Sequence, residues 1–99
     1  PKMNYDPKSD MIDTTGYTLP AELTPVREQL AAHIHGKWAE ERMNQGWSWG
    51  AKRDDATKQH PCLVPYRDLS DDEKKFDRAT AEASILGIQA CGAAITFMK

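Results

Sequence analysis

The chain has 99 residues, which is the size of one domain, so residues 1–99 are predicted to form a single domain. Its 13 basic and 15 acidic residues give a formal net charge of −2. Proteins that coat nucleic acids or membrane surfaces carry a basic excess, so we expect neither a nucleic-acid nor a membrane partner.

The apolar pattern and the cysteines indicate the compartment. No apolar run approaches the ~20 residues that span a bilayer. We also find no charged segment followed by an apolar stretch, which is the pattern of a signal peptide. Two cysteines, Cys62 and Cys91, are fewer than disulfide-stapled secreted domains carry. We therefore expect free thiols and a cytoplasmic protein.

The first 20 residues are predicted to form an irregular N-terminal arm laid over the body. Pro7, Gly16 and Pro20 interrupt any regular element. The cluster at 13–15, Asp-Thr-Thr, favours hydrogen bonds between side chains and the nearby backbone.

A first helix is predicted over residues 24–45. Thr24 can cap it, Pro25 suits the first helical position because its missing N–H needs no partner there, and Gly46 can end it. Apolar residues at helical spacing predict one buried face, made of Val26, Leu30, Ala31, Ile34, Trp38 and Met43.

A second helix is predicted to begin after Ser70. Ser70 and Glu73 have the spacing of a capping box, and Gly92 is the expected stop. Apolar and small residues at three- and four-residue spacing predict the packing face, made of Phe76, Ala79, Ala83, Leu86 and Ala90.

The segment between the helices carries the most informative pattern. All three tryptophans, Trp38, Trp47 and Trp49, fall within twelve positions beside basic residues. Aromatic rings among cations are typical of a recognition surface. Trp47 and Trp49 alternate as in a short strand or hairpin arm, for which Leu63-Val64 is the candidate partner, kept short by the flanking prolines.

Two interpretations of these side chains stay open. Trp47 and Trp49 can stack on a flat ring, or one can lie in the core while the other covers its edge. Cations on the same segment can bind phosphates: Arg42, Lys52, Arg53 and Lys58. They can instead form structural ion pairs, Arg53 with Asp54 or Asp13 and Arg42 with Asp77. Trp38, on the apolar face of the first helix, is predicted to be core.

The histidines and cysteines favour structural roles over catalysis. His35 is expected to bond a backbone carbonyl, and His60 to anchor its loop. His60 and Cys62 lack the second half of a four-ligand metal set, and nothing in the sequence indicates a lowered Cys62 pKa. We therefore expect no catalytic residues, no metal and no cofactor.

These spacings resemble the ryanodine receptor repeat, the RyR domain, over nearly the whole chain. The matching motifs are Tyr5-x-Pro7, Asp13-Thr14, Leu19-Pro20, His35-x-x-Trp38-Ala39-x-x-Arg42, Gly46-Trp47-x-Trp49-Gly50, Arg53-Asp54, Lys58-x-His60-Pro61-x-Leu63-Val64-Pro65-Tyr66, Leu69 and Glu73-Lys74-x-x-Asp77-Arg78. Trp49 departs mildly from the channel repeats, which more often carry Tyr at its position.

The resemblance implies a mainly α fold: two main antiparallel helices, short β-hairpin or strand segments and an N-terminal arm. In the calcium-release channel, repeats occur as pseudo-symmetric pairs, with a cleft associated with adenine nucleotide and lined by aromatic and basic side chains. It thus implies a non-catalytic module for an adenine nucleotide or ADP-ribose-like molecule, with ligand-binding residues Trp47, Trp49, Arg53, Lys58, Arg42 and Tyr66. The alternative is a protein-interaction or scaffold module without a small ligand. A homodimer or a second repeat is the expected protein partner.

Overall fold

The computed structural model describes residues 4–98 and confirms a mainly helical fold with small β pieces. The two long helices are α1, Thr24–Asn44, and α2, Asp71–Ala90. Between them lie two short strands, β1, Ser48–Trp49, and β2, Gln59–His60. Three short 3-10 turns complete the regular structure: Pro7–Ser9, Ala21–Leu23 and Tyr66–Asp68.

The start of α1 differs from the prediction that Thr24 caps it. A 3-10 turn runs directly into the helix, and the Thr24 N–H donates to the carbonyl of Ala21 in that turn. Leu23 holds the cap position without a side-chain hydrogen bond, and Thr24 is the first helical residue, followed by Pro25. The turn therefore satisfies the N–H of Thr24, and no side-chain hydrogen bond caps the start of α1.

The end of α1 confirms the predicted stop at Gly46. Gly46 has φ +92°, a conformation that costs glycine little because it lacks a Cβ. The Gly46 N–H donates to Met43 O at 3.0 Å, and the Trp47 N–H to Arg42 O at 2.9 Å. This pair of bonds is the Schellman motif, which directs the chain away from the helix axis into the segment with Trp47 and Trp49.

The start of α2 confirms the predicted cap. The Ser70 hydroxyl accepts a hydrogen bond from the Glu73 N–H at 3.2 Å and donates to Glu73 Oε1 at 2.8 Å. Three acidic residues occupy the first turn, where carboxylates are favoured by the positive end of the helix dipole.

The helices pack side by side and antiparallel. Arg27 pairs with Glu82 at 3.0 Å, whereas His35, further along α1, faces Asp77, which lies earlier on α2. The buried apolar core between them is small: Leu23, Ala31, Leu69, Ala81 and Ile85.

Two predicted helix faces need correction. In α1, Ala31 is buried as predicted, but Met43 is 63% exposed and the second buried position is His35. In α2, Phe76 is 75% exposed and Ala79 and Ala83 also face solvent. The face of α2 toward α1 combines Ala81 and Ile85 with charged residues that pair across the interface, so apolar spacing alone misplaced it.

The predicted strand partner was also wrong. β1 pairs with β2, in parallel, with Ser48 opposite Gln59 and Trp49 opposite His60, so Leu63-Val64 is not the partner. The residues between the strands fold back through an antiparallel bridge between Asp54 and Gln59, which lets a short connection return to a parallel register.

The N-terminal arm reaches α2. A Cβ built on Gly87 would lie 3.9 Å from Ile12 Cδ1, so the arm passes close to the helix there. Within residues 4–98, neither α1 nor α2 combines the length and the apolar character that a bilayer-crossing helix needs.

Candidate functional site

The segment after α1, here called the Trp loop (residues 46–60), carries four of the predicted ligand-binding residues, and Arg42 reaches it from the last turn of α1. The Arg42 guanidinium carbon lies 5.3 Å from the centre of the half-buried Trp47 ring, within cation–π range. Arg42 therefore does not form the predicted pair with Asp77, which faces His35 instead.

Trp49 presents an exposed ring on a fixed backbone. The Ser48 N–H donates to Lys58 O at 2.9 Å and the Gly50 N–H to His60 O at 3.4 Å, so hydrogen bonds hold the backbone on both sides of Trp49. Its side chain stays 57% exposed. A large ring held open to solvent is a platform on which a flat ligand can stack.

Arg53 lies at the solvent-exposed end of the Trp loop. Its Nε pairs with Asp55 Oδ1 at 2.9 Å, and not with Asp54 or Asp13 as weighed from the sequence. Asp54 instead accepts backbone hydrogen bonds from Ala56 and Thr57, which shapes the turn.

Lys58 holds the Trp loop against the end of α1. It adopts φ +56°, an uncommon conformation for a residue with a Cβ. Its Nζ donates to Gln45 O at 2.8 Å, where a cation also complements the negative end of the helix dipole. A phosphate would have to share or replace this contact.

Tyr66 is not brought to the Trp loop. Its hydroxyl donates to Glu28 Oε1 of α1 at 3.0 Å, and the Lys74 ammonium lies 5.5 Å from its ring centre. Burial and the neighbouring Glu28 carboxylate raise the pKa of Tyr66, so the phenol stays protonated and keeps donating. Of the six predicted ligand-binding residues, Tyr66 alone sits at the junction of the two helices.

His60, the last residue of the Trp loop, lies between Trp47 and Trp38. Its ring packs edge-on against Trp38 at 5.0 Å and lies 6.3 Å from Trp47. The Cys62 N–H donates to His60 Nδ1 at 3.0 Å, which confirms the predicted loop anchor. Burial, with the charges of Arg53 and Arg42, lowers the pKa of His60, so its ring is neutral near pH 7.

On the other side of His60, a cavity of about 330 Å³ opens between α1 and α2. Its walls are mostly apolar, and its polar side-chain groups are two imidazoles, an indole N–H, a thiol, a hydroxyl and two carboxylates. The lining residues are Ile34, His35, Trp38, His60, Cys62, Leu69, Glu73, Phe76, Asp77 and Thr80. None of the six predicted ligand-binding residues is among them.

Two of the cavity's polar groups are fixed by hydrogen bonds. The His35 Nε2 donates to Val64 O at 2.7 Å, which confirms the predicted structural histidine. The Cys62 thiol donates to the Glu73 carboxylate. Burial, with the Glu73 carboxylate, raises the pKa of Cys62 to about 11, so the thiol stays protonated near neutral pH and is a poor nucleophile.

Sequence reasoning missed this cavity and its carboxylates. Glu73 and Asp77 are four residues apart, so both lie on one face of α2. That spacing, next to the apolar Phe76, was the available signal. Within residues 4–98, no three His, Cys, Asp or Glu side chains are grouped so that they could hold a metal ion.

The comparison with protein families agrees with the motif spacing. A sequence model of the RyR domain matches residues 5–97, nearly the full chain. The matched range includes both helices, the Trp loop and the cavity. The chain therefore belongs to the RyR domain family.

Proposed function

We propose that this RyR domain is a non-catalytic ligand-binding module that takes an adenine nucleotide or ADP-ribose-like molecule at the Trp loop. The observation that carries the proposal is the Trp49 ring, 57% exposed and held by β1 in a loop whose sequence also carries Lys52, Arg53 and Lys58. A purine ring stacked on Trp49 would gain roughly 1–3 kcal/mol, the usual range for a base on an aromatic side chain.

The local charge suits a phosphate. Residues 42–60 carry four basic and two acidic side chains, a net charge of +2, although the whole chain has −2. The pair between Arg53 and Asp55 is exposed, with side chains 60% and 69% accessible, and such pairs contribute little. Arg53 can therefore exchange Asp55 for a phosphate at small cost, and its planar guanidinium can bind two phosphate oxygens.

Isothermal titration calorimetry with ATP and with ADP-ribose tests the proposal. Trp49→Ala should weaken binding at least tenfold, about 1.4 kcal/mol, while the fold is kept. Phe76→Ala is the matched control, because it removes another exposed aromatic ring that lies outside the Trp loop. The proposal would be contradicted if neither ligand binds, or if wild type and Trp49→Ala bind with equal affinity.

A second candidate is a protein-interaction module, favoured by the open shape of the chain. Its radius of gyration is 16.5 Å, against about 13 Å expected for a compact domain of this size. Large apolar side chains such as Met43, Trp49 and Phe76 are more than half exposed. A second copy meeting this one across a two-fold axis would cover apolar surface on both chains.

Sedimentation velocity at micromolar concentration, with and without nucleotide, tests the self-association. A dimer is expected if the exposed rings are contact anchors. A single species of 11.1 kDa under both conditions would rule out this arrangement.

A further inference from the structure

We propose that the cavity between α1 and α2 binds a small organic amine, whose apolar body lies between Trp38 and Phe76 and whose ammonium group is held by Asp77. This site shares only His60 with the Trp loop, and the proposal does not depend on the nucleotide. It rests on three properties of the cavity: its apolar walls, its unsatisfied carboxylate and the sign of its charge.

The cavity has the size and walls of a small-ligand site. Its volume of about 330 Å³ falls at the small end of the range for ligand pockets, roughly 300–1,000 Å³. Ile34, Trp38 and Leu69 supply apolar surface, and Phe76 stands at the wall with 75% of its surface exposed. An apolar group of the size of a phenyl ring would cover part of the Phe76 ring and gain the energy of removing both from water.

The Asp77 carboxylate is the group that we expect to bind a cation. Its side chain is only 14% exposed, yet within residues 4–98 no hydrogen-bond donor reaches its carboxylate. The nearest nitrogen is His35 Nδ1, 3.9 Å from Asp77 Oδ2, too far for a hydrogen bond.

The tautomer of His35 determines whether its Nδ1 can donate to Asp77. The carbonyl of Val64 can only accept, so His35 Nε2 carries the proton that it donates there. In the neutral imidazole, Nδ1 is then a second acceptor facing the Asp77 carboxylate. An ammonium group has three donors and would satisfy both acceptors at once.

The charges around the cavity favour a cation over an anion. Glu73 is ionised near neutral pH, since hydrogen bonds from Cys62 and Ser70 lower its pKa. No Lys or Arg is among the residues described as lining the cavity. The nearby cations are engaged elsewhere, Arg78 with Glu28 and Lys74 with the carbonyl of Arg67. A phosphate would meet two carboxylates here, whereas an amine would meet complementary charge.

The test uses three probes with the same phenylethyl body and different charge: phenethylamine, 2-phenylethanol and 3-phenylpropionate. Each is titrated into the full chain, and binding is followed by ¹H–¹⁵N NMR. The amine should bind at least tenfold more tightly than the alcohol, as a charge-assisted hydrogen bond predicts, and the carboxylate most weakly. The shifted amides should lie in residues 34–38 and 73–80.

Three variants locate the recognition. Asp77→Asn keeps the shape and removes the charge, so the preference for the amine over the alcohol should disappear. Asp72→Asn removes the same charge from an α2 side chain that is 94% exposed and outside the cavity, so the preference should remain. Phe76→Ala should weaken the amine and the alcohol alike.

Three outcomes of the wild-type titrations would overturn the proposal: equal binding of amine and alcohol, tighter binding of the carboxylate, or amine-induced shifts confined to the Trp loop. These titrations are sufficient even if Asp77→Asn does not fold. Absence of saturable amine binding up to about 10 mM, where even a weak site would fill, would overturn it as well.

Discussion

Arg78 of α2 holds the carboxylate of Glu28 of α1 with two hydrogen bonds, from Nε to Oε2 at 2.7 Å and from Nη2 to Oε1 at 2.9 Å. The Tyr66 hydroxyl donates to the same Oε1 at 3.0 Å. One carboxylate thus joins α1, α2 and the 3-10 turn that precedes α2. This arrangement gives Tyr66 a structural contact in the place where the sequence suggested a ligand.

Glu28→Gln should destabilise the fold by about 1 kcal/mol, because the amide keeps the shape but loses the charge-assisted bonds to partly exposed partners. Arg78 lowers the pKa of Glu28 below its usual 4.5. The stabilisation is therefore present above the unfolded-state pKa and is lost as the pH falls through the folded-state pKa.

Urea unfolding of wild type and Glu28→Gln at pH 7 and near pH 3 checks this prediction, since the difference should shrink at the acidic pH. Glu40→Gln is the control: Glu40 pairs with Lys37 on α1, but both side chains are 59% exposed. A loss from Glu40→Gln as large as that from Glu28→Gln would show that the interhelix contact has no special weight.

Ser70→Ala should cost roughly 0.5–2 kcal/mol, since it removes the cap of α2. Ser84→Ala is the matched control, because the Ser84 hydroxyl only donates to the Thr80 carbonyl one turn earlier in the same helix. Chemical denaturation gives both values. An unchanged midpoint for Ser70→Ala would mean that α2 does not depend on this cap.

Gly50→Ala should be destabilising by roughly 1–3 kcal/mol, the usual cost of overpacking. A Cβ on Gly50 would lie 2.6 Å from Gln59 Cβ, so the two strands would have to separate. Gly36→Ala on α1 meets nothing within 4 Å and should stabilise the helix by about 0.5–1 kcal/mol. The melting temperature should therefore fall for Gly50→Ala and rise for Gly36→Ala. A higher melting temperature for Gly50→Ala would contradict the parallel pairing.

Trp47 and Trp49 should respond differently to truncation. Trp47 is half-buried against Arg42 and His60, so Trp47→Ala should cost roughly 2–3 kcal/mol, below the 3–5 of a fully buried ring. Trp49→Ala should stay within about 0.5 kcal/mol, as surface changes do. Denaturant midpoints measure both. If both variants unfold, the exposed platform at Trp49 is not tenable.

The helix limits were predictable because their signals are local. The residues that set these limits act within a few positions of the helix ends. The predicted cap at Ser70 and the predicted stops at Gly46 and Gly92 are all present. The packing face of α2 was not predictable in the same way. Arg78 and Glu82 face α1 because each pairs there with an oppositely charged side chain, Glu28 and Arg27, whereas hydropathy alone assigns every charge to solvent.

The cavity and the strand pairing depended on contacts between distant residues. The pairing of Trp49 with His60 is set by a bridge and a positive-φ Lys58, for which the sequence offers no glycine signal. The cavity combines side chains from α1, α2 and the intervening segment, so it exists only after the helices have packed.

Titration of ADP-ribose into the ¹⁵N-labelled chain, followed at the Trp49 indole N–H, tests for a ligand site at the Trp loop. We predict a saturable shift of that signal together with amides of the Trp loop, while signals from residues 73–80 stay in place. Saturable binding that leaves the Trp49 indole signal unmoved, or no binding at millimolar ADP-ribose, would contradict a ligand site at the Trp loop.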